Sequence, residues 1–341
     1  MRAVVIHELG GPGVLGLETI ADPVPAPGDV LVRVRACALN RLDLWTRMGQ
    51  AGRAVAFPHV LGNDVAGEIV SAEGFPDLAA GRRVMLSPGI SCGRCRACLG
   101  GQDNFCRQYR VLGCQVHGGY GELVTCPAAN VIPIPDALGF EEAAAFPLVF
   151  LTAWHMLVRR AALRMGEDVL VWGAGSGVGM AAVQIAKVLG ARVMATAGSE
   201  EKLAKARELG ADAVVNHTSG DVVNEARRFT SKKGVDVVIE HPGAVTWERS
   251  ILSLAHGGRL VTCGATTGPE GRTEIRHVFS KQLSLLGSYM GSKADLLDVA
   301  RLFFDGRLRA MVHAVLPLAQ AGRAHEMMEA SEHFGKLVLV P

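Results

Sequence analysis

The sequence predicts an α/β protein in two parts, a compact and partly open β-barrel followed by a doubly wound parallel sheet. Three observations lead there. Short Val-rich segments separated by Pro/Gly turns open the chain. Apolar runs alternating with helical patterns fill the stretch from Asp168 to about Gly291. Between the first of those runs and its helix lie four glycines in seven residues, Gly173, Gly175, Gly177 and Gly179.

Taken in order, the barrel strands are expected at Ala3–Ile6, Val30–Ala36, Val65–Ser71, Arg83–Leu86 and Leu123–Cys126, with turns such as Pro25–Gly28 and Gly81 between them. Glu141–Phe146 and Thr152–Val158 have helical spacing. Parallel strands follow at Val169–Trp172, Arg192–Ala197, Ala213–Asn216, Val235–Glu240, Arg259–Cys263 and Leu283–Gly287. Lys293–Phe304 reads as a helix, and Val312–Leu316 and Lys336–Val340 as strands that return to the first part. The expected domains are therefore 1–145, with a cysteine lobe at 92–106, then 146–292, then a C-terminal return over 293–341.

A chain of 341 residues, 49% hydrophobic and 20% charged, has room for two sizeable cores and is not disordered. A net charge of +2 without a Lys/Arg stripe argues against nucleic acid as a partner. No uninterrupted apolar run reaches membrane-spanning length, so no membrane association is expected. Met1–His7 reads as a strand rather than a signal peptide, and the expected location is cytoplasmic.

The stretch Asp168–Gly179 organises the second part. A buried strand, a glycine turn and a helix from Met180 to Leu189 make an anion site, because free backbone N–H groups and the positive helix end point at the turn. The strict G-x-G-x-x-G spacing is not met: aligned on Gly179, the three positions are Ala174, Ser176 and Gly179. A second strand beginning where the helix ends completes the βαβ unit, so the turn Ala174, Gly175, Ser176, Gly177, Val178, Gly179 reads as a dinucleotide site.

Cys92, Cys95 and Cys98 followed by Cys106 have the spacing C-x2-C-x2-C-x7-C. Four thiolates can close tetrahedrally on one zinc, and a four-sulfur site has no open position, so this Zn2+ is structural. An iron–sulfur cluster shares the ligand type, but the terminal Cys-Pro of the bacterial spacing is absent. Cys37, Cys114, Cys126 and Cys263 stand alone and read as buried apolar thiols.

With these features in place, the chain resembles the medium-chain dehydrogenase/reductase superfamily, that of zinc-type alcohol dehydrogenases and quinone oxidoreductases. The matching stretches are Pro58–Gly67, the cysteine lobe, Gly118–Glu122, Ala143–Ala145 and the glycine turn. The resemblance implies a GroES-like catalytic domain, a Rossmann nucleotide domain and an active site in the cleft between them. Members that oxidise alcohols hold a second zinc, but the three ligand positions here are Asn40, Asn63 and Leu148, and the proton relay falls on Leu42 and Trp45. Neutral amides are poor zinc ligands and Leu is none, so no catalytic zinc is expected.

Asn40 at the former ligand position resembles the zinc-free quinone oxidoreductase branch, and its amide is a candidate donor to a substrate carbonyl. Asp43 and Asp64 match acidic family positions, with scaffold hydrogen bonding as the alternative role. His59 is a candidate proton donor or surrogate ligand, against a structural role; His117 has the same two readings. Arg41 matches a position that contacts the pyrophosphate, and Thr152 one near the nicotinamide. Gly264 and Glu240–Gly243 follow later strands at the carboxyl edge where open sheets bind ligands. Trp45, Phe57, Phe150 and Tyr289 are candidate pocket walls.

An Asp or Glu at the end of the second strand would favour NAD; here the strand ends Ala197, Gly198, Ser199, with Lys202 following. Ser199 can donate to a 2′-phosphate and Lys202 can pair with it, so the expected cofactor is NADP(H). The leading expectation is an NADPH-dependent reductase of a quinone or α,β-unsaturated carbonyl. The alternatives are an alcohol/aldehyde dehydrogenase with a second metal held by His59, Asp64 or His117, and a non-catalytic NADPH-binding protein. The apolar strand Leu283–Gly287 resembles the family's subunit-pairing edge and implies a homodimer or homotetramer.

Overall fold

The computed structural model describes residues 1–52 and 55–341. The chain divides into two units, Met1–Leu148 with Ser292–Pro341, and Val149–Gly291. The expected boundary at 145/146 moves to 148/149 for a physical reason. Phe146 stacks on Phe303 with ring centroids 4.2 Å apart, and the Leu148 N–H donates to Asp64 Oδ1 at 2.9 Å, so both residues stay with the first unit.

The first unit is built around the ten-residue strand Asp29–Ala38. Val30, Val32 and Val34 point into the core while Arg33 and Arg35 point out, the period-2 pattern of a sheet with one wet face. This strand pairs antiparallel with Asp64–Ser71, with Leu123–Pro127 and with Lys336–Val340. Lys336–Val340 in turn pairs in parallel with Val312–Pro317, so the end of the chain belongs to the same sheet as its beginning. A three-stranded sheet of Gly16–Thr19, Arg2–Ile6 and His59–Val60 lies beside it, and the inner faces share one apolar core.

The second unit holds a six-stranded parallel sheet. In spatial order its strands are Ala213–Asn216, Arg192–Ala197, Asp168–Val171, Val235–Glu240, Leu254–Thr262 and Ser284–Gly287, which in chain order is 3-2-1-4-5-6. The fifth strand begins earlier than the sequence predicts, at Leu254 rather than Arg259, because Leu254 already pairs with Val235 ahead of an irregularity. The expected helix Thr152–Val158 spans the junction of two helical segments, Pro147–Trp154 and the wider π-helical turns His155–Arg160 that continue it. Phe150 is fully buried, so it is core rather than pocket wall. Among the described residues no helix is long and apolar enough to cross a membrane.

One buried polar cluster ties the last helix, Ala321–Glu329, to the rest of the first unit. Arg47, fully buried, donates to Gly10 O at 3.0 Å, to His325 Nδ1 at 3.0 Å and to Glu329. An arginine only donates, so Nδ1 carries the lone pair and Nε2 the proton, which points to Tyr120 Oη at 3.0 Å. Burial, with the Arg47 charge second, lowers the His325 pKa from 6.5 to about 3. Below pH 6.5 the unfolded chain therefore binds a proton that folded His325 refuses, and this contribution to stability is lost as pH falls toward 3. The expected slope from this one group is about 1.4 kcal/mol per pH unit. Denaturant melts of wild type and His325→Gln between pH 6.5 and 4 check it: the variant should show a shallower loss, and parallel curves would contradict it.

Candidate active site

The first unit brings Asn40, Asp43 and Asp64 together around a residue that the sequence reading did not single out, Lys336. The polar groups of all four are buried, with Lys336 1% and Asp64 0% exposed. Lys336 Nζ donates to Asn40 Oδ1 at 2.6 Å and to Asp64 Oδ2 at 3.0 Å. Asn40 Nδ2 donates to the same Asp64 oxygen at 2.9 Å. An ammonium has no acceptor and a carboxylate no donor, so this network fixes which way the amide faces.

Asp43 holds the same residue by its backbone. Its two oxygens accept from Asn40 N at 2.7 Å and Gly62 N at 3.0 Å. Burial raises its pKa to about 7, against the two N–H bonds that pull it down. Gly62 is required there: its φ is +104°, and a Cβ would lie 2.7 Å from Cys37 Sγ and 2.5 Å from Tyr120. Arg41, next in the chain, donates to Ser331 Oγ at 2.9 Å.

Asn63 is fully buried; its Nδ2 donates to Leu112 O at 2.6 Å, while among the described residues its Oδ1 meets no donor. His59 Nε2 donates to Gly113 O at 3.2 Å, which makes it the protonated ring nitrogen. Burial lowers its pKa to about 4, so its ring is neutral and already engaged. His117 stands beside it, with ring centroids 5.3 Å apart, and its Nδ1 accepts from Val60 N. Among the described residues neither belongs to a group of three metal-ligating side chains. Among the described residues the one such group is Cys92, Cys95, Cys98 and Cys106, whose sulfur atoms lie within 4.8 Å of one another. That donor set fits a tetrahedral four-sulfur zinc.

In the second unit the expected cofactor residues gather at one edge. The turn after Asp168–Val171, Gly198 and Ser199 after Arg192–Ala197, and Gly264 after Leu254–Thr262 all follow the carboxyl ends of strands paired in parallel register. Ser176 caps the twelve-residue helix Gly177–Val188, accepting from Gly179 N at 2.9 Å. Gly179 packs so closely that a Cβ would lie 2.2 Å from Gly173 O. His241 closes the turn from the next strand: its Nε2 donates to Trp172 O at 2.9 Å and lies 3.1 Å from Ser176 Oγ. Thr152 is buried on the segment Pro147–Trp154.

At the end of the second strand, Ser199 caps the helix Glu200–Glu208, accepting from Lys202 N at 3.4 Å. His217 lies beside Gly198, where a Cβ would be 3.4 Å from its Nε2. Burial lowers the His217 pKa, and the Arg249 and Lys202 charges lower it further. Arg249 lies over Trp172, 5.1 Å from the ring centroid. Three cationic or protonatable side chains therefore converge here, while Glu200 is turned to Asn216 Nδ2 at 3.5 Å. A nicotinamide dinucleotide fits this cradle of glycines, helix N-terminus and basic side chains.

The comparisons agree with this architecture. Residues 26–136 match the alcohol dehydrogenase GroES-like domain, and residues 177–305 match the zinc-binding dehydrogenase family. The quinone oxidoreductase of Homo sapiens is 31% identical over 351 residues, covering 100% of this chain and 98% of that protein. The chain belongs to the medium-chain dehydrogenase/reductase superfamily. A solved structure described as an NAD-dependent alcohol dehydrogenase superposes with a TM-score of 0.96 at 49% identity, covering 100% of both chains. The acryloyl-coenzyme A reductase of Metallosphaera sedula is 31% identical and covers 99% of each sequence. The enzyme is thus an oxidoreductase with the GroES-like and Rossmann architecture of its relatives.

Four residues of the two candidate sites escaped the sequence reading as individuals: Lys336, His217, His241 and Arg249. Lys336 carried a signal, a cation opening the apolar run Leu337–Val340. His241 lay inside the stretch Glu240–Gly243 but was not separated from it. Gly179→Ala should raise the Kd for the dinucleotide about tenfold or more, because the added methyl pushes the helix off the turn. Fluorescence titration with the cofactor measures it, and an unchanged Kd in a folded variant would contradict the cradle.

Proposed function

We propose that the enzyme is an NADPH-dependent reductase of quinones or α,β-unsaturated carbonyls that works without a catalytic zinc and holds one structural Zn2+ in its cysteine lobe. The observation that supports this most is the Lys336 ammonium seated on Asn40 Oδ1 and Asp64. The one lone-pair atom of the Asn40 side chain and the nearest carboxylate are already engaged by a fixed cation. Of the other family ligand positions, Asn63 is neutral and Leu148 has no donor atom. These residues do not fit a second Zn2+, and no step is assigned to one.

When bound, NADPH would supply a hydride to the electron-poor carbon of the acceptor, and solvent water would supply the proton that completes the reduction. The protein then has to hold charge that develops on a conjugated oxygen. Asn40 keeps one amide N–H beyond the bond to Asp64, and this N–H donates to that oxygen. Asp43 keeps Asn40 in place through its backbone N–H. The buried Asn63 Oδ1 accepts from a hydroxyl or water at the acceptor. His59, neutral and bonded to Gly113 O, shapes the wall rather than giving a proton. Arg41 and Thr152 contribute to the pyrophosphate and nicotinamide ends of the cofactor, and Cys92, Cys95, Cys98 and Cys106 hold the zinc.

A strand end without a carboxylate, with Ser199, Lys202, His217 and Arg249 around it, favours a 2′-phosphate. Arg249→Ala and Lys202→Ala should each raise the KM for NADPH about tenfold or more and leave that for NADH nearly unchanged. Equal losses with both cofactors would remove the preference. The second reading, an NAD-dependent alcohol dehydrogenase, is favoured by the relative at 49% identity. Ser284–Gly287 forms an edge of the six-stranded sheet beside the exposed Ile275 and Phe279, which supports assembly as a homodimer or homotetramer through that edge.

Metal analysis paired with NADPH oxidation on a quinone and an enone tests the function. The expected result is about one zinc per chain, NADPH-dependent reduction of at least one acceptor, and loss of zinc and stability in Cys95→Ser. Two zincs per chain, with alcohol oxidation that follows the second, would overturn the metal-free reading.

A further inference from the structure

We infer that Lys336 is a positioning residue for the reduction, holding and polarising the Asn40 amide so that its remaining N–H is aimed and strengthened as the donor to the acceptor oxygen. The inference rests on the metal-free reading above and deepens it. A buried asparagine can turn its amide over, and one orientation would offer a carbonyl where a donor is needed. Here the ammonium excludes that orientation, because Nζ at 2.6 Å can only face Oδ1. Asp64 completes the restraint by accepting one of the two Nδ2 protons at 2.9 Å, leaving one.

The same contact acts on the electrons. A cation on the amide oxygen draws charge from nitrogen, so the free N–H becomes a stronger donor, in a site where low polarity enlarges the effect. Asp64 is itself held, with Oδ1 accepting from Leu148 N and Oδ2 from Lys336 and Asn40. Asp43 fixes the Asn40 backbone. Every atom that sets the direction of the amide therefore has a partner; Lys336 and Asp64 each accept only one of the two orientations, and Lys336 is the one that also puts a positive charge on the amide oxygen. Lys336 does not touch the acceptor; it acts through Asn40.

Removing Lys336 alone leaves the Asp64 carboxylate buried and unpaired, so Lys336→Met is expected to unfold in part. The test uses Asp64→Asn/Lys336→Met, which removes both charges, and Lys336→Arg, which keeps the ion pair but cannot place the same single donor on Oδ1. With NADPH and an enone, the double variant should lose about 100-fold in kcat and Lys336→Arg about tenfold, with the KM for NADPH and the zinc content unchanged. Wild-type kcat in either folded variant overturns the inference. So does a loss confined to melting temperature with kcat per folded molecule intact, which is what a purely structural lysine would give. Asn40→Ala separates the two claims: wild-type kcat there would refute the amide-donor reading itself, whatever Lys336 does.

Discussion

The first unit depends on a charge that has no route to solvent. Lys336 opens the last strand, Asp64 opens a strand of the same sheet, and Asn40 lies just past the end of the strand between them. Ala38 is in register with both Val338 and Asp64, so the ion pair reaches across the central strand at the point where all three strands begin or end. A slip of one residue in any of them would leave a buried charge alone, at a cost of about 3–5 kcal/mol. The alternation of buried Val and exposed Arg in Asp29–Ala38 fixes which face of that strand turns inward, whereas Leu337–Val340 is apolar on both faces and does not by itself set its offset. The ion pair does. It fixes the last strand against the central one, and that register sets Lys336 beside Asn40 and Asp64.

The same arrangement limits the chemistry. A dication would bring its own charge to the reacting oxygen and lower the energy of an alkoxide by several kcal/mol. A lysine that already serves Asp64 and Asn40 cannot do this directly; in the reaction proposed above, what reaches the reacting oxygen is an amide N–H with a cation behind it. That is enough where the charge is spread over a conjugated system and too little where it is concentrated on one alcohol oxygen. The neutral imidazole of His59 agrees with this. With its Nε2 proton on Gly113 O and its pKa near 4, it adds no charge. Acceptors that are already electron-poor suit such a site.

How much of this could be read from the sequence differs between the two units. The parallel sheet was legible almost strand by strand, since Arg192–Ala197, Ala213–Asn216 and Val235–Glu240 are short, mostly apolar runs bounded by turns and were placed to the residue. Leu254–Ala255 was not, because it precedes a glycine pair that reads as a turn and pairs through an irregularity. In the site, Asn40, Asp43 and Asp64 were visible from family positions, and their wiring was not. Lys336 lies 272 positions from Asp64, and no local pattern encodes a partner that distant. His217 and Arg249 were missed for a related reason. Each sits on its own element, and only the fold of the sheet brings them to Lys202.

The cysteine lobe follows a different logic from either unit. Its helix Arg96–Leu99 has four residues, its one 3₁₀ turn has three, and Leu99 and Phe105 are 77% and 60% exposed. A segment that leaves its largest apolar side chains in water gains little from burial, and so few hydrogen-bonded turns do not offset the entropy of ordering it. What the lobe does have is four sulfur atoms drawn together, with backbone N–H groups of Arg94 and Cys95 pulling the Cys92 thiol toward its ionised form. Clustered thiolates repel unless a cation sits among them. With a zinc held by these four sulfurs, metal binding would supply the free energy that orders the lobe, and the order would be tied to the ion rather than to the apolar core beside it.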